Sequence, residues 1–188
     1  MLEFRWHGRG GQGAWTASEL LARTAIYEGK FIQSFPEFGP ERMGAPMCAF
    51  TRISTEPIRV HCAVYDPDVV IVLDNTLLKT VPVTAGINQL DDIIIINSPE
   101  NPSVIRDELK IDKGKIWTVP ATEIVLQILG SPITNTAMLG AVARATGIVA
   151  LDALEKTVRQ RFNPDLAEKN FAVIQRAFEE AKSEETKQ

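Results

Sequence analysis

The residues with the clearest chemical potential are Gly8, Arg9, Gly10, Gly11, Gln12 and Gly13. Gly8, Gly10 and Gly13 have the spacing G-x-G-x-x-G, with Gly11 a fourth glycine inside it. Before them, Leu2-Glu3-Phe4-Arg5-Trp6 alternates as a β-strand does. After them, Ala14, Ala17, Leu21 and Ala25 recur at helical spacing, which predicts a helix over Ala14 to Tyr27. The glycines therefore sit at a strand-to-helix turn. Such a turn needs glycine for a positive φ, for backbone approach to a phosphate, and for close packing of helix on strand. The N–H groups of the first helical turn then form an anion site, which the helix dipole reinforces. Arg9 adds a mobile positive charge able to pair with phosphate. A tight turn that binds nothing has the same spacing.

The second stretch able to do chemistry is Pro36 to Pro46. It holds three prolines and two glycines, which exclude regular structure, and it carries Glu37, Glu41 and Arg42. A loop this long inside a compact domain is more often functional than idle. Phe31 to Phe35 precedes it as a second strand, completing a βαβ unit. In a dinucleotide enzyme an acidic residue near the end of that strand holds a ribose, and Glu37 stands about there. First and second strands of a doubly wound sheet are neighbours, so the loop is expected beside the glycine turn. The bland alternative is a surface connection with solvated charges.

The remaining elements position these two stretches. Met47 to Ile53 and Pro57 to Val64 flank Ser54-Thr55-Glu56 and read as a β-hairpin, with Ile58, Val60 and Cys62 on its buried face. Val69 to Leu73 and Ile93 to Ile96 are apolar on both faces, as central parallel strands are. The first ends in Asp74-Asn75-Thr76, which either face a ligand or cap the helix that begins at Leu77. Lys115 to Val119 is a further strand and Ala121 to Leu129 a helix. From Asn135 the chain is helical. Asn135–Ala145 closes at Gly147, then Leu151, Leu154, Val158 and Phe162 form a stripe, and after Asn163-Pro164 so do Ala167, Phe171, Ile174 and Phe178. The charged end, Glu179 to Gln188, is expected to fray.

Composition sets bounds. With 188 residues, 45% hydrophobic and 23% charged, the chain is one ordinary globular domain spanning residues 1–188. A net charge of −4 implies no bulk attraction to nucleic acid or acidic membranes. No apolar run reaches the length of a membrane span, and no secretory signal is visible, so a cytoplasmic location is expected. Cys48 and Cys62 lie far apart and read as two buried, reduced thiols. His7 is read as a satisfied strand-end residue, contact with a ligand being the alternative. No metal constellation and no nucleophile–base set is present, so no catalytic residue is assigned.

Four segments taken together, in order, resemble one family. They are Gly8-Arg9-Gly10-Gly11-Gln12-Gly13, then Glu37-Phe38-Gly39-Pro40-Glu41-Arg42-Met43-Gly44, then Arg52-Ile53-Ser54 with Pro57-Ile58, then Pro67-Asp68-Val69. The chain is similar to the gamma subunit, or gamma domain, of the 2-oxoacid:ferredoxin oxidoreductases, most of all that of the pyruvate enzyme. The resemblance covers nearly the whole chain, including Lys169-Asn170-Phe171 and Ala177-Phe178 near the end. It departs at Met43-Gly44-Ala45, where the family more often carries an arginine and paired glycines.

The resemblance implies an α/β, Rossmann-like fold: a mostly parallel sheet with a β-hairpin insertion and a helical C-terminal part. It implies a complex with alpha, beta and delta-type subunits, which oxidises pyruvate and coenzyme A to acetyl-CoA and carbon dioxide and reduces ferredoxin. Thiamine diphosphate and iron–sulfur clusters belong to partner subunits, and coenzyme A is a co-substrate. The gamma chain would be inactive alone and serve coenzyme A access and assembly. Gly8 to Gly13 would bind coenzyme A, and Glu37, Gly39, Pro40, Glu41 and Arg42 would form a partner-facing entrance loop. Two rivals stand beside this expectation: a free-standing NAD-dependent oxidoreductase, and a structural subunit with an empty glycine turn.

Overall fold

A computed structural model of the chain describes residues 1–37 and 43–184. The expectations placed on Gly39, Pro40, Glu41 and Arg42 lie outside these residues. The strands are β1 (Leu2–Arg9), β2 (Phe31–Pro36), β3 (Pro46–Ser54), β4 (Val69–Val72), β5 (Ile93–Asn97), β6 (Lys115–Val119) and β7 (Lys182–Ser183). The helices are α1 (Ala14–Tyr27), α2 (Pro102–Leu109), α3 (Ala121–Leu129), α4 (Asn135–Thr146), α5 (Leu151–Arg161) and α6 (Pro164–Glu180). Among the described residues the strands form one sheet in the order β2-β3-β1-β4-β5-β6-β7. β1, β4, β5 and β6 are parallel neighbours, while β3 runs against both β1 and β2. The fold class is the expected α/β one, with a mostly parallel sheet and a helical C-terminal part.

The hairpin, however, is β2–β3 rather than the pair expected from Met47 to Val64. β3 already has β1 on one side and β2 on the other, with His7 opposite Cys48 and Phe35 opposite Phe50. No edge of β3 is left for Pro57 to Val64, which is irregular, with Val60 and Cys62 exposed. For the same reason β1 and β2 are not neighbours: β3 lies between them. The helix α2 was not foreseen from sequence. Nor does the chain fray at Glu179: α6 runs to Glu180, and β7 then pairs with Trp117 and Thr118 of β6.

One sheet face is apolar and carries α1, α3, α4, α5 and α6. Phe4, Trp6, Ile71 and Ile95 point into that layer, all fully buried. The predicted α1 face of Ala14, Ala17, Leu21 and Ala25 is buried there in full. α4 crosses α6 at Gly140, where a methyl group would stand 2.2 Å from the Ile174 carbonyl oxygen. On the other face Val70, Val72, Ile94, Ile96 and Ile116 are covered by Leu77, Val83 and Ile105.

Over β1 and β3 that second face is polar. Arg52, fully buried, pairs with Glu3 at 2.6 Å and donates to the Cys62 carbonyl at 2.8 Å. Arg5 donates to the carbonyls of Tyr65, Val83 and Ala85. Two buried cations thus fasten irregular chain to the sheet through carbonyl groups that would otherwise lose water unpaired.

Candidate functional site

The glycine stretch begins inside β1 and ends at α1. Gly8 is the last glycine in the strand proper, and a Cβ there would come within 2.9 Å of the Ala14 Cβ. Its role is close approach of helix to strand. Gly13 is the N-cap of α1 with φ +80°, a left-handed conformation that side chains disfavour. A Cβ on Gly13 would also stand 2.8 Å from the Asn135 amide nitrogen at the start of α4. The N-termini of α1 and α4 therefore meet at this turn.

Neither helix has an acidic residue in its first turn or a side-chain bond from its N-cap residue, although in α4 the Asn135 side chain accepts from the Thr136 N–H at 2.8 Å. Each N-terminus carries about half a positive charge from its aligned peptide dipoles. Their junction is an anion-attracting point with no protein anion assigned to it. The glycine spacing led one to expect a single helix N-terminus at this turn, and the structure brings a second one, far away in sequence, beside it.

Arg9 is not the mobile charge expected. Its guanidinium donates to Asp74 Oδ2 at 3.1 Å, to Thr76 Oγ1 at 2.8 Å and to the Gly44 carbonyl at 3.1 Å. Gln12 locks the same knot: its side-chain oxygen accepts from the Arg9 N–H at 2.8 Å, and its amide donates to Asp74 Oδ2 at 2.8 Å. Burial alone would raise the Asp74 pKa. Hydrogen bonds from Thr76 and Gln12, with the charge of Arg9, outweigh it and hold the carboxyl below its ordinary value. Asp74 also accepts from the Thr76 N–H at 3.0 Å and so caps the short 3-10 helix Asn75–Lys79. Of the two sequence readings of Asp74, capping is the one the structure shows, for a helix that begins at Asn75 and not at Leu77.

The end of the proline loop does reach the glycine turn. Gly10 donates to the Ala45 carbonyl at 2.9 Å and accepts from the Gly44 N–H at 3.0 Å. The cause is the placement of β3 beside β1, not adjacency of β1 and β2. Glu37 stands elsewhere, at the end of the outermost strand, and is not placed to hold a ribose at the turn. Its N–H donates to the Cys48 carbonyl at 2.9 Å. The Cys48 thiol hydrogen-bonds the Glu37 carboxylate, and burial first, then that carboxylate, pushes the thiol up to about 12.

Behind Cys48 lies His7, 4% exposed. Arg5 Nε donates to its Nε2 at 3.1 Å, so the ring hydrogen sits on Nδ1, 3.2 Å from Cys48 Sγ. Burial, helped by the charge of Arg5, lowers the His7 pKa to about 3. His7 is thus the satisfied strand residue expected, and a neutral one. Cys62, by contrast with the expectation of two buried thiols, is exposed.

Beside the turn, at the carboxyl edge of β4, β5 and β6, a crevice of about 420 Å³ opens. Gln12, Leu73, Asp74, Asn97, Thr122 and Glu123 are among its lining residues. Its volume is that of a small-molecule site. Asn97 donates to the Leu73 carbonyl and to Thr122 Oγ1, both at 2.8 Å, and holds the β5 end to α3. Asn97 carried a signal in the sequence, a polar residue closing an apolar strand. Thr122 carried none.

A parallel sheet with a glycine turn and a crevice at its carboxyl edge defines an α/β protein of the Rossmann-like class. Residues 3–180 match the family model described as pyruvate ferredoxin/flavodoxin oxidoreductase, and the chain belongs to that family. It is 51% identical to the pyruvate/ketoisovalerate oxidoreductases common subunit gamma of Pyrococcus abyssi, across 95% of this chain and 96% of that one. It is 47% identical to the pyruvate synthase subunit PorC of Methanocaldococcus jannaschii, across 96% and 97%. The crystal structure of the Thermotoga maritima pyruvate oxidoreductase subunit PORC superimposes with a TM-score of 0.87 at 43% identity, covering 98% of each chain. The chain is a subunit of an oxidoreductase complex of this family, and the free-standing NAD-dependent reading is not favoured.

Proposed function

We propose that this chain is the gamma subunit of a pyruvate:ferredoxin oxidoreductase and that it presents coenzyme A to the reaction. Partner subunits of alpha, beta and delta type carry thiamine diphosphate and the iron–sulfur clusters, and the complex works in the cytoplasm. Among the described residues, no helix is long and apolar enough to cross a membrane.

The observation that carries the reading is the junction at Gly13 of two helix N-termini with no acidic residue in their first turns. A pyrophosphate there meets backbone N–H groups and two aligned dipoles. Gly8, Gly10, Gly11 and Gly13 keep side-chain volume away from it. Arg9 and Gln12 hold the turn's shape through Asp74. The loop from Pro36 to Pro46, fastened to Gly10 at its far end, forms the partner-facing entrance.

The test is Gly10→Val in the assembled complex. Added volume at the turn should raise the Michaelis constant for coenzyme A at least tenfold while assembly and pyruvate dependence hold. An unchanged coenzyme A dependence in a fully assembled variant would make the turn structural only.

A further inference from the structure

We propose that the outer edge of β2, with the adjoining stripe of α1, binds a second copy of this chain. The two copies are related by a two-fold axis, their sheets join into one, and their α1 helices lie side by side. The proposal is independent of the coenzyme A reading.

The backbone sets the register. The Glu37 N–H donates to the Cys48 carbonyl, and β2 pairs with β3 from Phe31 opposite Ser54 to Pro36 opposite Ala49. Hydrogen-bonded pairs alternate along an antiparallel ladder. Phe31, Gln33 and Phe35 therefore turn their N–H and C=O groups to β3, and Ile32, Ser34 and Pro36 turn theirs outward. Among the described residues no strand pairs with that outer side. Pro36 has no N–H to give. At the other end the Lys30 N–H is taken by the Ala25 carbonyl at 3.1 Å. The open donors are thus those of Ile32 and Ser34. A two-fold axis through Gln33 sets Ile32 of each copy opposite Ser34 of the other, and every one of these N–H groups finds a carbonyl. In the same register Phe31, 45% exposed, stands opposite Phe35 of the second copy, an aromatic cross-strand pair.

The helix carries the second observation. α1 lies over β2 and β3 and runs antiparallel to β2. A dyad half a strand spacing beyond β2 puts the two α1 axes about 10 Å apart, near the usual distance of packed helices. Ser18 Oγ of α1 meets Ser34 Oγ at 3.0 Å. From that level the rises of helix and strand bring the dyad to about Leu20 and Leu21. Around this point α1 exposes Trp15, Glu19, Arg23 and Ile26. Set against itself in the opposite direction, the stripe brings Trp15 to Ile26 and Glu19 to Arg23. Within one helix the Glu19–Arg23 pair, at 2.7 Å, is exposed and contributes little. Across the dyad the two pairs close into a ring of alternating charge. An isologous contact needs this kind of self-complementarity.

The test is sedimentation velocity on the full-length subunit, which should sediment as a dimer at micromolar concentration. Glu19→Arg gathers arginines around the dyad and should raise the dimer dissociation constant at least about tenfold, with helical content unchanged. Combining Glu19→Arg with Arg23→Glu restores opposite charges and should return the constant to within about threefold of the unaltered chain. A monomer throughout overturns the proposal. If Glu19→Arg then also hinders assembly of the complex, the edge docks a different subunit. A dimer indifferent to Glu19→Arg, or one that the charge swap fails to restore, joins through another surface and overturns the proposal as well.

Discussion

His7 shows how much a single residue owes to its neighbours. In sequence it is one of only two histidines, next to a glycine turn, and either role was open to it. In the fold, Arg5 and Cys48 settle its tautomer, and burial with the Arg5 charge takes its pKa to about 3. The unfolded chain binds a proton at this histidine below a pKa of about 6.5, and the folded chain does not. Stability from His7 is therefore full above that pH and falls as the pH drops toward about 3. Between pH 7.5 and pH 5 the loss should be about 2 kcal/mol, read as a lower denaturant midpoint. His7→Gln, which cannot titrate, should lose correspondingly less over the same interval. Equal slopes in both proteins would mean that His7 keeps its ordinary pKa in the fold. Other residue-level features differ in how far sequence reveals them. Gly8 and Gly13 were legible because backbone geometry demands their type. The anchoring of Arg9 was not, since Asp74 and Thr76 meet it only through the pairing of β1 with β4.

Elements were legible where one period ran long enough. α1, α3 and β6 have the bounds that their patterns predict, α4 and α5 each differ from theirs by a residue, and α6 extends beyond its predicted stripe at both ends. Strand neighbours were not legible, because alternation says that a strand has two faces and not which strand lies beside it. Hence β3 was given the wrong partner. α2 escaped because its eight residues bury only Pro102 and Ile105, too few to make a stripe. Packing between elements leaves a clearer mark at Gly140. There α4 and α6 approach so closely that a methyl group would meet the Ile174 carbonyl at 2.2 Å and the Phe178 nitrogen at 3.1 Å. Both are backbone atoms and cannot rotate away. Alanine normally favours a helix over glycine by about 1 kcal/mol. Here that gain should be reversed, and Gly140→Ala should destabilise by about 1–3 kcal/mol, the cost of overpacking. Chemical denaturation of the isolated subunit measures it, and a more stable variant would show that the helices can separate at no cost.

At the scale of the molecule, the sheet has two unlike ends. One is the β2–β3 ribbon, built from adjacent sequence. The other is closed by β7, the last strand described, with Glu184 gripped by Arg106 of α2 at 2.6 Å. During synthesis, then, β6 leaves the ribosome long before its partner exists. Its outer edge, with Trp117 on it, waits unpaired while four helices are made, and an open edge recruits other chains. The final residues act as a late clasp whose absence would be felt first in yield. A chain shortened after Glu180 should refold with the same helical content yet scatter more light at micromolar concentration than the full chain. Equal scattering would mean that α2 alone guards the edge. Nascent chains of this subunit would by the same logic be most prone to clumping in the interval between making residue 119 and making residue 183.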